Sequence, residues 1–167
     1  MASIVAPEVG EVVVFGSEGF ARVESIDEQE VLGRATMLLK LFVFDSSMTV
    51  SVPLQRARER GLRPVATPDE AEAVLDALAT GRWTSIPWNR DGRLVKERYA
   101  VGDLESVVDV IGSIVEVAAT KRLNDAQRTL HERARRSLAR EIATALDLEQ
   151  SAAESRIDEA VEPRLEA

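Results

Sequence analysis

The chain has 167 residues, enough for one domain or two small ones, with no cysteine and a single histidine, His131. This composition excludes disulfides, thiolate metal sites and thiol catalysis, and it excludes most metal and acid–base sites built on imidazole. Neither a leader pattern nor an apolar run of about 18 residues occurs, so we expect a soluble, cytoplasmic protein that does not bind membranes.

The net charge of −8 is unevenly distributed along the chain. Residues 1–80 contain 7 Lys/Arg and 13 Asp/Glu (−6), residues 81–140 contain 12 and 8 (+4), and residues 141–167 contain 2 and 8 (−6). A basic middle segment could therefore attract an anionic ligand despite the acidic total. Ordinary solvated helix surfaces would give the same balance, so charge alone leaves both interpretations open.

The first third of the chain is predicted to form β-strands. β-branched or alternating segments occur at residues 11–15, 20–26, 35–45 and 48–53. Gly16 and Gly19 can take the positive φ of a tight turn between the first two segments, and Pro53 closes the last. Four or five short strands in such a small span indicate a curled sheet or barrel, which is typical of an interaction module.

The chain changes character near Thr67, and the remainder is predicted to be helical. Thr67 is a suitable N-cap, Pro68 suits the first helical position, and Gly81 follows the end of this helix. Four more helices are expected to begin near Trp88, after the N-caps Asp103 and Asn124, and near Glu149. Gly92 is expected inside the second helix of this part, and Pro163 marks the start of the tail.

The predicted fold class is α+β. A small antiparallel β-barrel-like module (Tudor- or SH3-like) is expected over residues 1–64. A compact all-α domain of about five helices, with an acidic C-terminal tail, is expected over residues 65–167, with the junction near residues 60–68.

No motif in the sequence is typical of an enzyme. The turn GSEG lacks the Lys-Ser/Thr of a phosphate-binding loop, and Asp69 and Glu70 lie in a first helical turn, where the helix dipole explains them. His131 is expected on a solvated helix surface. We therefore expect no catalytic residues, no bound metal and no cofactor.

Basic residues surround a tryptophan at the start of the predicted second helix. Such cations can hold phosphates without reading base sequence, and an inserted apolar ring can prop open a base step. The candidate DNA-binding residues are Trp88, Arg90, Arg93, Lys96, Arg128 and Arg135. Trp88 could equally be core at a helix junction, and Trp83 is expected to be core.

Several short motifs, in their order and spacing, resemble a known family. The matching residues are Gly10, Glu11, Val12, Val13, Val14, Phe15, Gly16, Gly19, Val23, Ile26, Pro53, Gly61, Arg63, Trp88, Arg90, Arg93, Gly102, Ala134, Arg135, Leu138 and Glu141. Over about residues 9–162, the chain resembles the CarD/CdnL family of bacterial RNA polymerase-binding transcription regulators. Its β part resembles the polymerase-interaction domain that this family shares with transcription-repair coupling factor.

The resemblance implies a monomer that binds the RNA polymerase β subunit through its β module. The residues implied in polymerase binding are Gln29, Val31, Ser51 and Pro53. The helical domain would contact promoter DNA in the minor groove, without sequence specificity, at the upstream edge of the transcription bubble. There Trp88 would act as a wedge that stabilises the open complex.

The sequence also departs from the family pattern. Asp91 and Gly92 stand where members commonly carry a basic and an aromatic residue, and Gly112 occupies a usual arginine position. Gln29 and Ser51 replace residues that are Arg, or Arg or Met, in relatives. We therefore expect weaker DNA contact and altered polymerase affinity, and an adaptor that binds polymerase or another protein without touching DNA is the alternative.

Overall fold

The computed structural model describes residues 6–165 of the chain. These residues form two compact units, which divide between Val65 and Ala66. Residues 1–5, on which the expectation of no leader partly rests, and residues 166–167 of the expected acidic tail lie outside the described residues. Within the described part, no helix is long and apolar enough to cross a membrane.

The first unit is a five-stranded antiparallel sheet with the strand order β4–β3–β2–β1–β5. Its strands are β1 Val12–Phe15, β2 Phe20–Val31, β3 Arg34–Val43, β4 Met48–Pro53 and β5 Leu62–Pro64. The predicted α+β class is confirmed, but the expected barrel is wrong, because the sheet is open with β4 and β5 as its edges. Strand β5 was not predicted from the sequence.

A short helix explains why the sheet does not close. Helix α1, Leu54–Glu59, links the two edge strands and packs against β3, β4 and β5. Ala57 is fully buried in the core of this unit, so α1 covers the apolar face that a closed barrel would turn inward. The core consists of Val13, Phe15, Ala21, Val23, Leu39, Leu41, Val43, Val52, Ala57 and Leu62.

The turn after β1 has the glycine that its geometry requires. Gly16 has φ of +52°, and a Cβ at this position would overlap the carbonyl oxygen of Arg60. The Gly16 N–H donates to the Gly61 carbonyl at 3.0 Å, so this turn lies against the end of α1. The predicted positive φ at Gly16 and Gly19 is confirmed.

The second unit contains the five predicted helices. They are α2 Pro68–Thr80, α3 Arg93–Val101, α4 Leu104–Thr120, α5 Asp125–Leu146 and α6 Gln150–Leu165. Thr67 and Asn124 form capping boxes, as their side chains accept from the third helical N–H and their own N–H groups are bonded in return. Two bounds were wrong: α3 begins at Arg93 rather than near Trp88, and α6 continues past Pro163, where proline removes a single hydrogen bond close to the helix end.

Helix α4 forms the centre of this unit. Residues 106–115 are buried without interruption, and α4 contacts α2, α3, α5 and α6. A helix that is buried on all sides must pair any polar group that it carries. This requirement applies to Asp109 and Ser113, which both accept hydrogen bonds from the chain that precedes α3.

His131 is half-buried on α5, so the expected position on a solvated surface is wrong. Its Nδ1 is buried and has no hydrogen-bond partner among the described residues. Burial lowers the pKa of His131, and the charge of Arg135 lowers it further, although Glu132 and Asp158 oppose this shift. The imidazole is therefore neutral in the folded protein at neutral pH.

We expect the helical unit to lose stability below about pH 6.5, the ordinary histidine pKa. The unfolded chain then binds a proton that folded His131 resists, so this contribution is intact above that pH and is lost as the pH falls through the lower, folded pKa. Urea unfolding, followed by tryptophan fluorescence, should show a smaller fall for His131→Gln than for wild type between about pH 7.5 and about pH 5.5. Both tryptophans, at positions 83 and 88, belong to this unit. Equal pH dependence in the two proteins would contradict the assignment.

Candidate functional site

A strap of chain without regular secondary structure, residues 82–89, leads into the candidate DNA-binding segment. Two of its backbone N–H groups donate to side chains of α4: Thr84 to Asp109 Oδ1 at 2.8 Å, and Ile86 to Ser113 Oγ at 2.9 Å. Because Asp109 and Ser113 are one helical turn apart, a single face of α4 holds the strap.

The same face of α4 continues to Glu116. Its Oε1 accepts from the indole Nε1 of Trp83 at 2.7 Å and from the Ser85 hydroxyl at 2.7 Å. The Trp83 ring lies directly over Gly112, where a Cβ would overlap the indole. Trp83 is thus half-buried against the core, as predicted, and its ring packs directly on the backbone of Gly112.

Asp109 also connects the strap to α3. Its Oδ2 accepts from Arg98 Nε at 3.0 Å and Nη2 at 2.8 Å, while Oδ1 accepts from the Thr84 N–H. The carboxylate is buried, and it has one guanidinium and one backbone amide as partners. One buried charge therefore joins α3, α4 and the strap.

The strap ends at Trp88, which is half-buried and packs against the helical core. The Trp88 ring lies against Gly92, and a Cβ at position 92 would overlap several ring atoms. Asp91 and Gly92 have φ of 53° and 72°, so the chain turns here and α3 starts afterwards. Gly92 is therefore the N-cap beneath the indole and not a weak point inside a helix.

Asn89 fixes the turn between Trp88 and α3. Its carbonyl accepts from the Gly92 N–H at 2.8 Å, and its Oδ1 accepts from the Leu94 N–H at 3.1 Å. These bonds satisfy N–H groups at the start of α3, which an α-helix cannot pair internally. The backbone turn on which the Trp88 ring rests is consequently fixed by hydrogen bonds.

Three of the candidate cations lie next to this turn. Arg90 and Lys96 are exposed and have no ion pair within residues 6–165. Arg93 is also exposed, and its Nε donates to Glu97 at 2.9 Å, which raises the pKa of Arg93. The structure thus places two unpaired positive charges and one paired charge beside Trp88.

The two candidate cations of α5 are already paired. Arg128 donates to the Leu123 carbonyl at 3.0 Å and pairs with Asp125 at the start of the helix. Arg135 donates twice to Asp158 on α6, at 2.7 Å each, and its pKa is raised mainly by this bond. The Arg135 side chain is only 18% exposed. Their role in DNA binding stays a prediction.

Cation–π contacts were not predicted from the sequence. The Arg133 guanidinium lies 5.6 Å from the centroid of the Tyr99 ring, so α5 adds a further cation beside α3. In the β unit, Arg22 lies 5.5 Å from Phe42 and 5.9 Å from Phe44. Each pair joins residues far apart in sequence, so no local spacing could have indicated it.

The four residues implied in polymerase binding share one face of the sheet. Directly paired residues of an antiparallel ladder point to the same side, and alternate residues of β3 do so as well. Gln29, Val31, Ser51 and Pro53 pair respectively with Thr36, Arg34, Lys40 and Leu38 of β3. Since Leu39 and Leu41 point into the core, this set occupies the opposite face, and three of its four members are exposed.

The described residues contain no group of His, Cys, Asp or Glu side chains that could hold a metal ion.

Comparison with known proteins gives two family matches. The C-terminal domain of CarD matches residues 73–158, and the CarD-like/TRCF RID domain matches residues 8–66. A protein of Bacillus subtilis (strain 168), named "Putative transcription factor YdeB", is 20% identical over 136 residues, which span 81% of this chain and 89% of that protein.

We expect Gly92→Ala to displace the Trp88 ring and to destabilise the helical unit. The left-handed backbone costs about 1–2 kcal/mol for a non-glycine residue, and the overlap with the ring adds about 1–3 kcal/mol. In ¹H–¹⁵N spectra, the indole N–H signal of Trp88 should move further than that of Trp83.

Gly33→Ala is the matched control, because Gly33 has φ of +79° but open space where a Cβ would lie. It should carry the backbone cost alone and leave both indole signals in place. An unmoved Trp88 signal in Gly92→Ala would contradict the packing of the ring on Gly92.

Proposed function

The chain belongs to the CarD family, whose members are transcription regulators that interact with RNA polymerase rather than enzymes, and from this we propose that it stabilises open promoter complexes. In this proposal the β unit binds the polymerase β subunit, and the helical unit contacts promoter DNA. Trp88 enters the minor groove at the upstream edge of the bubble. The protein then acts as a monomer in the bacterial cytoplasm, where polymerase works.

The observation that carries the proposal is the support beneath Trp88. Its ring rests on Gly92, and the strap before it is bonded to α4, so the indole is held in place before any DNA is present. A wedge with a fixed ring loses little conformational entropy on insertion. Opening a base step costs a few kcal/mol, and a preorganised ring can offset more of that cost than a mobile one.

The unpaired cations support contact with phosphates. Arg90 lies in the turn after Trp88 and Lys96 lies on α3, and neither has a carboxylate partner in the described part of the chain. Such groups position a protein on DNA without reading its sequence. The net charge of −8 does not prevent this contact, because binding to polymerase raises the effective concentration of the helical unit near the promoter.

The outer face of the sheet supports the proposed contact with polymerase. Gln29, Val31 and Ser51 are exposed on the face opposite the core, and Pro53 lies beside them at the end of β4. This face combines polar and aliphatic groups with the exposed Arg34 and Lys40, the ladder partners of Val31 and Ser51, a mixture that suits a protein partner.

A second candidate function is an adaptor that binds polymerase without contacting DNA. The pairing of Arg93, Arg128 and Arg135 with carboxylates favours it, because paired cations attract phosphates less strongly. Asp91, which is exposed next to Arg90, adds a negative charge beside the proposed contact. The two candidates differ in whether Trp88 affects the open complex.

We expect Trp88→Ala to abolish the stabilisation of open complexes while polymerase binding is retained. With cognate polymerase on a ribosomal RNA-type promoter, wild type should lengthen the open-complex lifetime. The variant should leave it within about twofold of the value without factor, since alanine cannot hold a base step apart.

Polymerase affinity and circular dichroism of Trp88→Ala serve as controls for folding. If wild type binds polymerase and leaves the lifetime unchanged, the adaptor is the correct candidate. If the variant prolongs the lifetime as well as wild type does, Trp88 is not the wedge.

We expect Arg90→Ala and Lys96→Ala each to lower the salt dependence of binding to the polymerase–promoter complex. Removal of one phosphate contact changes the slope of log K against log salt by about 0.9. Arg156→Ala is the matched control, because it also removes one positive charge. Arg156 lies on α6 and forms an exposed ion pair with Glu72 on α2. An equal slope in all three variants would argue against phosphate contacts at positions 90 and 96.

A further inference from the structure

The hairpin between β2 and β3 has an unusual residue at its tip. Val31 pairs with Arg34, which leaves Leu32 and Gly33 as a two-residue turn. Both have positive φ, 52° and 79°, as a type I′ turn requires. Leu32 is 99% exposed, more than any other large apolar residue in the described part of the chain.

Nothing in the fold of the β unit favours leucine at this position. Two-residue turns of this kind prefer Asn-Gly, since asparagine tolerates the left-handed region that a leucine rarely adopts. A fully exposed side chain also gains nothing from burial. Leu32 is therefore unfavourable for the isolated protein both in its backbone conformation and in its contact with water.

The hairpin extends beyond the strands that flank it. β1 pairs with β2 only over Phe20–Arg22, and β4 pairs with β3 only over Leu38–Val43. From Glu28 to Met37 the described sheet is consequently two-stranded. A two-stranded ribbon is only marginally stable by itself. An unfavourable residue at its tip therefore lowers the stability of the free protein, and binding to a partner would offset that loss.

The surroundings of Leu32 indicate the chemistry of its partner. Val31, the residue before Leu32, is an exposed apolar neighbour at 41%. Between Glu28 and Met37, Glu28 and Glu30 are exposed acids against the single base Arg34, so this two-stranded part has a charge of −2 + 1 = −1. An apolar group with acidic flanks is complementary to an apolar pocket with a basic rim.

We propose that Leu32 is an anchor that inserts into an apolar, basic-rimmed pocket on RNA polymerase. The inference rests on the proposed function, because polymerase is the partner proposed for the same unit. It adds a residue outside the predicted set and places it at the end of their shared face, where Val31 and Gln29 lie. The buried side chain supplies affinity, and the acids orient the hairpin.

The test is Leu32→Asn, measured as affinity for cognate RNA polymerase core enzyme. Asparagine suits the turn, so amide hydrogen exchange near the tip of β2 and β3 should become slower. Polymerase affinity should nevertheless fall by about tenfold to about a hundredfold, which is the value of one buried leucine side chain. A variant with a more stable hairpin and weaker binding cannot be explained by misfolding.

Met48→Asn is the matched control. Met48 is 60% exposed in the same unit, and by alternation it lies on the opposite face of β4 from Ser51. Its substitution should leave polymerase affinity unchanged. A second variant, Glu28→Gln with Glu30→Gln, should weaken binding and reduce its salt dependence.

The outcomes separate the inference from the proposed function. If wild type and Leu32→Asn bind polymerase equally well, the anchor is refuted and the proposed function stands. If wild type does not bind polymerase, both are refuted. Equal losses in Leu32→Asn and Met48→Asn would also refute a specific anchor, and an unchanged salt dependence in the double variant would refute the basic rim.

Discussion

The arrangement of the candidate site depends on the buried carboxylate of Asp109. It accepts from the backbone of Thr84 and from the guanidinium of Arg98, so the strap and α3 are both bonded to α4 through one side chain. A buried charge is strongly unfavourable without partners, and the loss of one partner from such a pair costs about 3–5 kcal/mol. Strap, α3 and α4 must therefore be in place together, and the position of Trp88 follows from that assembly.

The structure gives two glycines a packing role that the sequence did not indicate. In the sequence, Gly92 and Gly112 are departures from residues that are larger in relatives, and Gly92 would weaken a helix. In the structure each lies under an indole ring, of Trp88 and Trp83 respectively, where any larger residue would overlap it. The small residues are thus matched to the two tryptophans, and neither glycine loosens the packing of the site.

Local chemistry made much of the fold predictable, and long-range contacts limited the rest. Thr67 and Asn124 signal helix starts through residues three positions away, so these starts were predicted correctly. The open sheet was not predictable in the same way, because it depends on α1 covering the core. For the site, the sequence marked Arg135 as a candidate cation, but it could not show that Arg135 is bonded to Asp158, since that partner belongs to another helix.

The bonds between the strap and α4 have a consequence for how this site can evolve. Thr84 and Ile86 are held through their backbone N–H groups, whereas Asp109 and Ser113 are held through their side chains. Substitutions at positions 84 and 86 therefore preserve the attachment for every residue type except proline, which lacks the donor. Divergence can accumulate on the strap, beside Trp88, while Asp109 and Ser113 on the helix underneath have to stay the same.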